Sequence, residues 1–219
     1  MRGHQLPGFL EGPRGALPGL SVSVEAGIDV VVLELRELEV TEPREDFTGV
    51  VERALEAARE GRVPGVDLAR ALFRRFHIDP TKTRPSSEAL LRRARRGEPF
   101  PRVNSLVDVA NVMSLLAQSP VGLYDLGRTE GPLNIRVGAA GEGYKGIRKG
   151  WVNVEGRLCV ADALGPLGNP TSDSARTMIT TETERAAWVW FLPVPEKTVD
   201  RTAELVARYG RGLVSLVQP

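Results

Sequence analysis

Cysteine, histidine and aromatic side chains are all scarce in this 219-residue chain, and each shortage closes off a class of function. A single cysteine, Cys159, allows no intrachain disulfide. It sits in the strand-like run "GRLCVAD" without a cluster of basic neighbours, so it reads as a small buried hydrophobe rather than a reactive thiol. The two histidines are His4, near the N-terminus, and His77, at the end of a predicted helix. They cannot build a His/Cys metal cluster, and a Ser–His–Asp triad would rest on His77 alone. No metal and no cofactor are therefore expected. Aromatics at 5% speak against a stacking platform of the single-strand-binding type. No stretch approaches the roughly 18 to 20 consecutive apolar residues that cross a bilayer. "MRGHQLPGFLEGPRG" lacks the apolar run of a secretory signal, so a cytoplasmic protein with no membrane association is expected. Any chemistry must use carboxylates, hydroxyls, amides, arginines, backbone N–H groups or water.

Charge, by contrast, is plentiful and unevenly placed. The net charge is only +1, yet Glu34 to Glu60 holds nine acidic and four basic residues, and Arg70 to Arg102 holds ten basic and three acidic. Such a switch can make one electropositive face on a nearly neutral protein. Twenty-five of the 29 basic residues are arginine, whose planar fork suits phosphates. Arg92, Arg93, Arg95 and Arg96 fall within two turns of one predicted helix, where they would meet RNA phosphates without reading sequence. A solvated helix face accounts for the same run.

Periodicity divides the chain into helices first and strands later. Residues 1–27, rich in Gly and Pro and aperiodic, are expected to be an irregular N-terminal arm, followed by a single α+β domain over 28–219. "IDVVVLEL" reads as a buried strand. "DFTGVVERALEAAREG" reads as a helix stopped by Gly61. "GVDLARALFRRFHI" places Leu68, Ala69, Leu72, Phe73 and Phe76 on one helical stripe. "RPSSEALLRRARRG" is a third helix, capped by Ser86 or Ser87 and ended by Gly97. "RVNSLVDVANVMSLLAQSPVGLYDL" supplies a fourth, with Asn104 as its cap and Pro120 as its end. Asp108 and Asn111, three apart on that helix, share a neighbouring face beside the apolar stripe. Beyond Pro120, "VGLYDL", "LNIRV", "GWVNV", "RLCVAD" and "AAWVWFL" read as short strands. "GAAGEGYKGIRKG" reads as a Gly-rich basic loop without Walker spacing, and "TVDRTAELVARYG" and "GLVSLV" as a last helix and strand.

Three segments together carry a family pattern. "N-x-(I/V)-V-D-(I/V)-T-N-Y-V" is matched at Asn104, Val107, Asp108 and Asn111. "Q-P-x-H-A-(F/Y)-D-L", with the glycine that follows it, is matched at Pro120, Tyr124, Asp125, Leu126 and Gly131. "G-G-x-E-S-x-V-T-x-E-T" is matched at Thr177, Ile179, Thr180, Glu182 and Thr183. Residues 67–195 thereby resemble the editing region, the third and fourth structural domains, of the phenylalanyl-tRNA synthetase beta subunit. The resemblance implies N-terminal helices packed on a mixed or antiparallel β-sheet core. The other synthetase domains find no room here, so it further implies a freestanding protein that binds tRNA or other RNA and hydrolyses mischarged aminoacyl-tRNA in trans. Where the family places the Thr, His and Glu of its pocket, this chain has Ala110, Gly122 and Arg176. All three polar groups are replaced.

Hydrolysis of an aminoacyl ester needs a positioned water, donors for an oxyanion and a proton for the leaving hydroxyl. Arg176 would face an oxyanion or phosphate, Thr177 and Thr180 offer hydroxyls, and Asp125 or Glu130 would hold an α-ammonium. Turn chemistry explains Asp125 and Glu130 as readily, and capping explains Thr180. Asp108 and Asn111, with Tyr124 nearby, either tie the helix to its neighbours or line the pocket, and Gly122 at the vacated His position would widen it. Two readings stay open. One is an RNA-binding ester hydrolase; the other is a binding module for an amino-acid-like ligand or a protein that kept the fold and lost the chemistry.

Overall fold

The computed structural model describes residues 19–218. Residues 1–18 of the expected arm, His4 included, lie outside them. Two sheets and a layer of helices stack on one another, in the α+β arrangement that the motifs implied. The middle layer is a four-stranded antiparallel sheet in the order β11 (Leu213–Val217), β2 (Val31–Arg36), β10 (Ala186–Trp190), β3 (Val121–Asp125). Its strands alternate between two cores, which is why they read in sequence as unbroken apolar runs. Leu33, Leu35, Leu123, Trp188 and Trp190 face the helices. Val32, Tyr124, Ala187 and Val189 face the second sheet.

The helical layer comprises α1 (Thr48–Arg59), α3 (Ser86–Arg95), α4 (Ser105–Ala117) and α5 (Glu196–Tyr209). The outer sheet runs β1 (Val22–Val24), β4 (Leu133–Val137), β7 (Leu158–Asp162), β8 (Gly165–Asn169), β9 (Ser172–Asp173), with α2 (Asp67–Arg75) adding Leu72 to its core and Phe76 joining just beyond the helix end. A short hairpin, β5 (Gly143–Lys145) and β6 (Trp151–Asn153), completes the set. Only β1 and β4 pair in parallel among the described strands.

Several boundaries differ from expectation for identifiable reasons. Residues 22–24, placed in the irregular arm, form β1, because the backbone pairs with β4 and the Leu20 N–H donates to the buried Glu34 carboxylate. Leu68 is exposed rather than buried: at 100° per residue, Ala69, Leu72, Phe73 and Phe76 centre the stripe of α2 and Leu68 falls on its margin. Neither serine caps α3. Pro85 holds the cap position, the Ser86 N–H reaches the Pro170 carbonyl at 3.1 Å, and the Ser87 hydroxyl is buried without a partner. The Gly-rich loop contains β5, and the stretch "GPLGN", too rich in Gly and Pro to read as a strand, is β8.

Helix α4 shows why polar residues recur in an apolar segment. Asn104 caps it, its Oδ1 accepting the Val107 N–H at 2.9 Å while its Nδ2 donates to the Ile179 carbonyl at 3.2 Å. Asp108 is fully buried, and its Oδ1 accepts the Val103 N–H at 2.8 Å. Its Oδ2 accepts from Arg102 Nε at 2.6 Å, and Arg102 continues to the Arg44 carbonyl at 2.7 Å. Cap and carboxylate thus lock the first turn to the residues before α1 and to the segment before β10. The helix ends at Gln118, whose left-handed backbone (φ 50°) stops it ahead of Pro120.

Replacing Asp108 by Ala strands Arg102 and leaves the Val103 N–H without its acceptor. Because Arg102 keeps partial contact with water, the expected loss is about 2–4 kcal/mol, at the lower side of what breaking a buried ion pair costs. Asp108→Asn, which still accepts from Val103, is expected to lose less. Denaturant unfolding of both variants checks the order, and equal loss would contradict it.

Candidate functional site

The helical layer and the sheets leave a cleft of about 180 Å³ where α3, α4 and β3 meet the segments 171–173 and 178–179. Helix α3 contributes Ser86 and Leu90, and α4 contributes Val107, Ala110, Asn111 and Ser114. Val121 and Leu123 project from β3, since alternate residues of a strand face one side. Thr171, Ser172 and Asp173, with Met178, Ile179 and Ile147 from the β5–β6 turn, close the remaining wall. The lining is mostly aliphatic with a few polar groups converging on it, as in sites for small molecules.

Asp173 is the one carboxylate among these lining residues, and sequence reasoning passed over it. Its Oδ2 accepts the Leu123 N–H at 3.4 Å, whereas its Oδ1 is buried and makes no hydrogen bond. The neighbouring Tyr124 hydroxyl is likewise buried and forms no hydrogen bond of ordinary geometry, yet it lies close enough to Asp173 for each group to shift the other. Burial pushes the Asp173 carboxyl up to about 7, against the opposing pull of the Leu123 N–H. Burial also holds the Tyr124 hydroxyl well above its ordinary range. In the sequence Asp173 is one acid in a Gly/Asn/Ser-rich stretch, which turn chemistry explains equally well.

Most other candidates fall elsewhere. Of the pair on α4, Asn111 lines the cleft and Asp108 does not, being consumed by Arg102 and Val103. Gly122 does not widen the cleft. It faces the opposite side of β3, where a Cβ would collide with the Tyr124 hydroxyl, so the tyrosine ring already fills its space. Gly168, across from it, would carry a Cβ only 2.8 Å from the same hydroxyl. Tyr124 is therefore a core side chain threaded between two glycines.

Asp125 performs the turn chemistry anticipated as its alternative role: Oδ1 accepts the Gly127 N–H at 2.9 Å and Oδ2 accepts the Thr183 hydroxyl at 2.8 Å. It lines a different depression with Arg128, Glu182, Glu184 and Arg185. Glu130 is exposed, and its N–H donates to Asp162. Arg176 is not free to meet an oxyanion. It grips Asp162 with two bonds of 2.8 and 2.9 Å and the Arg128 carbonyl with another. Burial alone would raise the Asp162 carboxyl, but Arg176 and the Glu130 and Leu164 N–H groups outweigh it and hold it below the usual range.

Thr177 is wholly buried, and its hydroxyl has no partner. Thr180 closes a turn, accepting the Glu182 N–H and donating its own N–H to Thr183. Cys159 is buried in β7, its thiol pushed up to about 11 by burial. Among the described residues, no group of three or more His, Cys, Asp or Glu is placed to hold a metal ion, and no helix is long and apolar enough to cross a membrane.

A three-layered α+β body with a cleft between its helical layer and the strand β3 defines the class. Within that class, residues 68–212 match the family model of the B3/4 domain, and the chain belongs to that family. Its fold is similar to that of an N-terminal fragment of the phenylalanyl-tRNA synthetase beta-subunit from Pyrococcus horikoshii, with a TM-score of 0.50 and 14% identity. The match covers 90% of this chain and 50% of that one, so the chain spans half the length of the fragment. At this identity the likeness is one of fold. Among curated proteins, none matches the chain. The resemblance to the synthetase beta subunit drawn from the motifs thus holds at the level of family and fold.

The raised Asp173 carboxyl has a sign that can be measured. A carboxyl near 3.8 when unfolded and near 7 when folded binds more protons in the folded state between those values. Its contribution to stability is therefore full below about pH 4 and is lost as pH rises to about 7. Asp173→Asn, which removes the titration, is expected to flatten the fall in stability over that window and to be the more stable form above it. Urea midpoints for both proteins across pH 4–8 test this, and parallel curves would contradict it.

Proposed function

We propose that the chain binds the aminoacyl-bearing end of tRNA, with an amino-acid-like group in the cleft and the RNA backbone on α3. One observation carries this reading: the same helix walls the cleft and presents the arginines. Ser86 and Leu90 line the cleft, and Arg92, Arg93, Arg95 and Arg96 follow as exposed side chains within the next two turns. Arg93 and Arg96 lean on Glu98 at 3.8 and 3.6 Å, while Arg92 and Arg95 make no ion pair among the described residues. Exposed guanidinium groups beside a small concave site suit a ligand that joins a phosphate chain to a small group. At about 180 Å³ the cleft falls below the roughly 300–1,000 Å³ of drug-sized sites and suits something of amino-acid size. Aliphatic walls would take the side chain, and Asp173 in its ionised form would hold the α-ammonium or accept a proton from an attacking water. Ester hydrolysis in trans would then deliver that proton to the leaving ribose oxygen.

A second reading, binding without hydrolysis, is favoured by Ala110, Gly122 and Arg176. Where the synthetase pattern has its three polar groups, this chain offers a methyl group, a position filled by Tyr124 and an arginine bound to Asp162.

Two measurements test these readings. tRNA affinity is expected to fall as salt rises, and joint replacement of Arg92, Arg93, Arg95 and Arg96 by Ala is expected to weaken binding at least tenfold and to reduce the salt slope. Salt-independent binding, or affinity unchanged in the variant, would remove the phosphate-contact reading. Incubation with a panel of mischarged tRNAs separates the two functions. Hydrolysis predicts loss of the aminoacyl group from at least one species, abolished by Asp173→Asn with tRNA binding retained. Retention of charge on every species leaves the non-catalytic module.

A further inference from the structure

The β5–β6 hairpin presents a surface that the cleft and α3 leave unused. Tyr144 and Val152 turn toward the body, and the Tyr144 hydroxyl donates to the Ser172 carbonyl at 2.5 Å. Gly143, Lys145, Trp151 and Asn153 occupy the other face, where Lys145 pairs directly with Trp151 in the register. Trp151 is 69% exposed, whereas Trp188 and Trp190 are fully buried. A Cβ on Gly143 would stand 2.6 Å from two atoms of the Trp151 indole. The indole therefore packs against bare glycine backbone on one side and leaves most of its surface to solvent. Lys145 is its cross-strand neighbour, and Arg148 and Lys149 lie in the turn that joins the two strands, all three exposed and none in an ion pair among the described residues. The acids nearby are engaged: Glu142 is gripped by Arg136 through bonds of 2.6 and 2.7 Å, and Glu155 accepts the Gly141 N–H.

Position matters as much as chemistry. Ile147, at the hairpin turn, lines the cleft, and its N–H donates to the Asp173 carbonyl at 3.1 Å. The hairpin is thus tethered to the same segment that carries the cleft's carboxylate.

We propose that the exposed face of Trp151 stacks one unpaired base of a single-stranded nucleic acid, whose phosphates lie on Lys145, Arg148 and Lys149. A preset aromatic face beside unpaired cations is how single strands are held without sequence preference. The low aromatic content argues against a row of such residues, but one base needs one ring. A protein partner fits less well. Stable interfaces bury about 800 Å² per side around an apolar centre, and among the described residues of the hairpin itself only Trp151 and Ile147 are large, apolar and exposed. The inference rests on the tRNA reading above, in which an unpaired end must pass close to the cleft.

The test is titration of the full chain with a ten-nucleotide unstructured RNA, followed by tryptophan fluorescence, beside a duplex of the same length and intact tRNA. Quenching by the single strand, weaker quenching by the duplex, and about tenfold weaker oligonucleotide binding in Trp151→Ala are expected, the loss of one base–aromatic stack. Trp151→Phe should restore part of the affinity. Joint replacement of Lys145, Arg148 and Lys149 by Ala should lower affinity and the salt slope. Circular dichroism of each variant verifies the fold, and the conservative Phe variant keeps the test decisive if the Ala variant unfolds. If tRNA binds and depends on the α3 arginines, yet oligonucleotide binding is unaltered in the Trp151 variants, the stacking site is overturned and the tRNA reading stands. If neither RNA binds, both fail. Self-association that disappears in Trp151→Ala, without RNA quenching, would make this face a contact between copies instead.

Discussion

Burial of the middle sheet on both faces is the constraint from which the rest of the molecule follows. Strand β10 is buried at every position, with Trp188 and Trp190 against the helices and Ala187 and Val189 against the outer sheet. Two-sided burial admits almost no polar side chain, so the exceptions must be matched closely. Glu34 on β2 is such an exception, clamped by Arg36 and Arg185 at 2.9 and 2.8 Å. Burial would raise its carboxyl, but the two guanidinium groups and the Leu20 N–H outweigh that and hold it below the ordinary range. The small residues Gly122 and Ala187 serve the same end, leaving the space between the sheets to larger neighbours such as Tyr124.

The cleft is a consequence of how that sheet ends. β3 is an edge strand of the middle sheet, so no further strand of that sheet pairs with it beyond its helix-side residues Val121 and Leu123. Helices α3 and α4 and the segment around Asp173 close over this edge without filling it. The polar locks on α4 keep the opening in shape: Asn104 holds the helix to Ile179 on one wall, and Asp108 holds its first turn through Arg102. Residues that in sequence looked like competitors for one pocket are divided between forming the wall and bracing it.

Much of the architecture was legible because it rests on local chemistry. Asn104 precedes an apolar-periodic run and caps α4; Gly61 and Gly97 follow α1 and α3 with φ of 74° and 68°, a backbone that glycine adopts freely. The hidden elements are those whose stability comes from neighbours. "GPLGN" forms β8 because β7 supplies its hydrogen bonds, and β1 is extended because β4 lies beside it. The candidate site was legible in part for the same reason. Asn111 reached the cleft, while Arg176 and Asp125 found partners 14 and 58 residues away that no local pattern reveals.

By itself the sequence determined the order of helices and strands, the two-sided apolar runs, the cap of α4, the arginine-rich turn of α3 and membership of a fold family. These depend on periodicity, on backbone preferences and on the residue types present. Tertiary structure decided which polar groups remain available. It spent Asp108 on Arg102, Asp162 on Arg176 and the space at Gly122 on Tyr124, and it left Asp173 among the cleft's lining residues and Trp151 facing solvent. Availability is a property of burial and partners, and both are fixed only when distant segments meet.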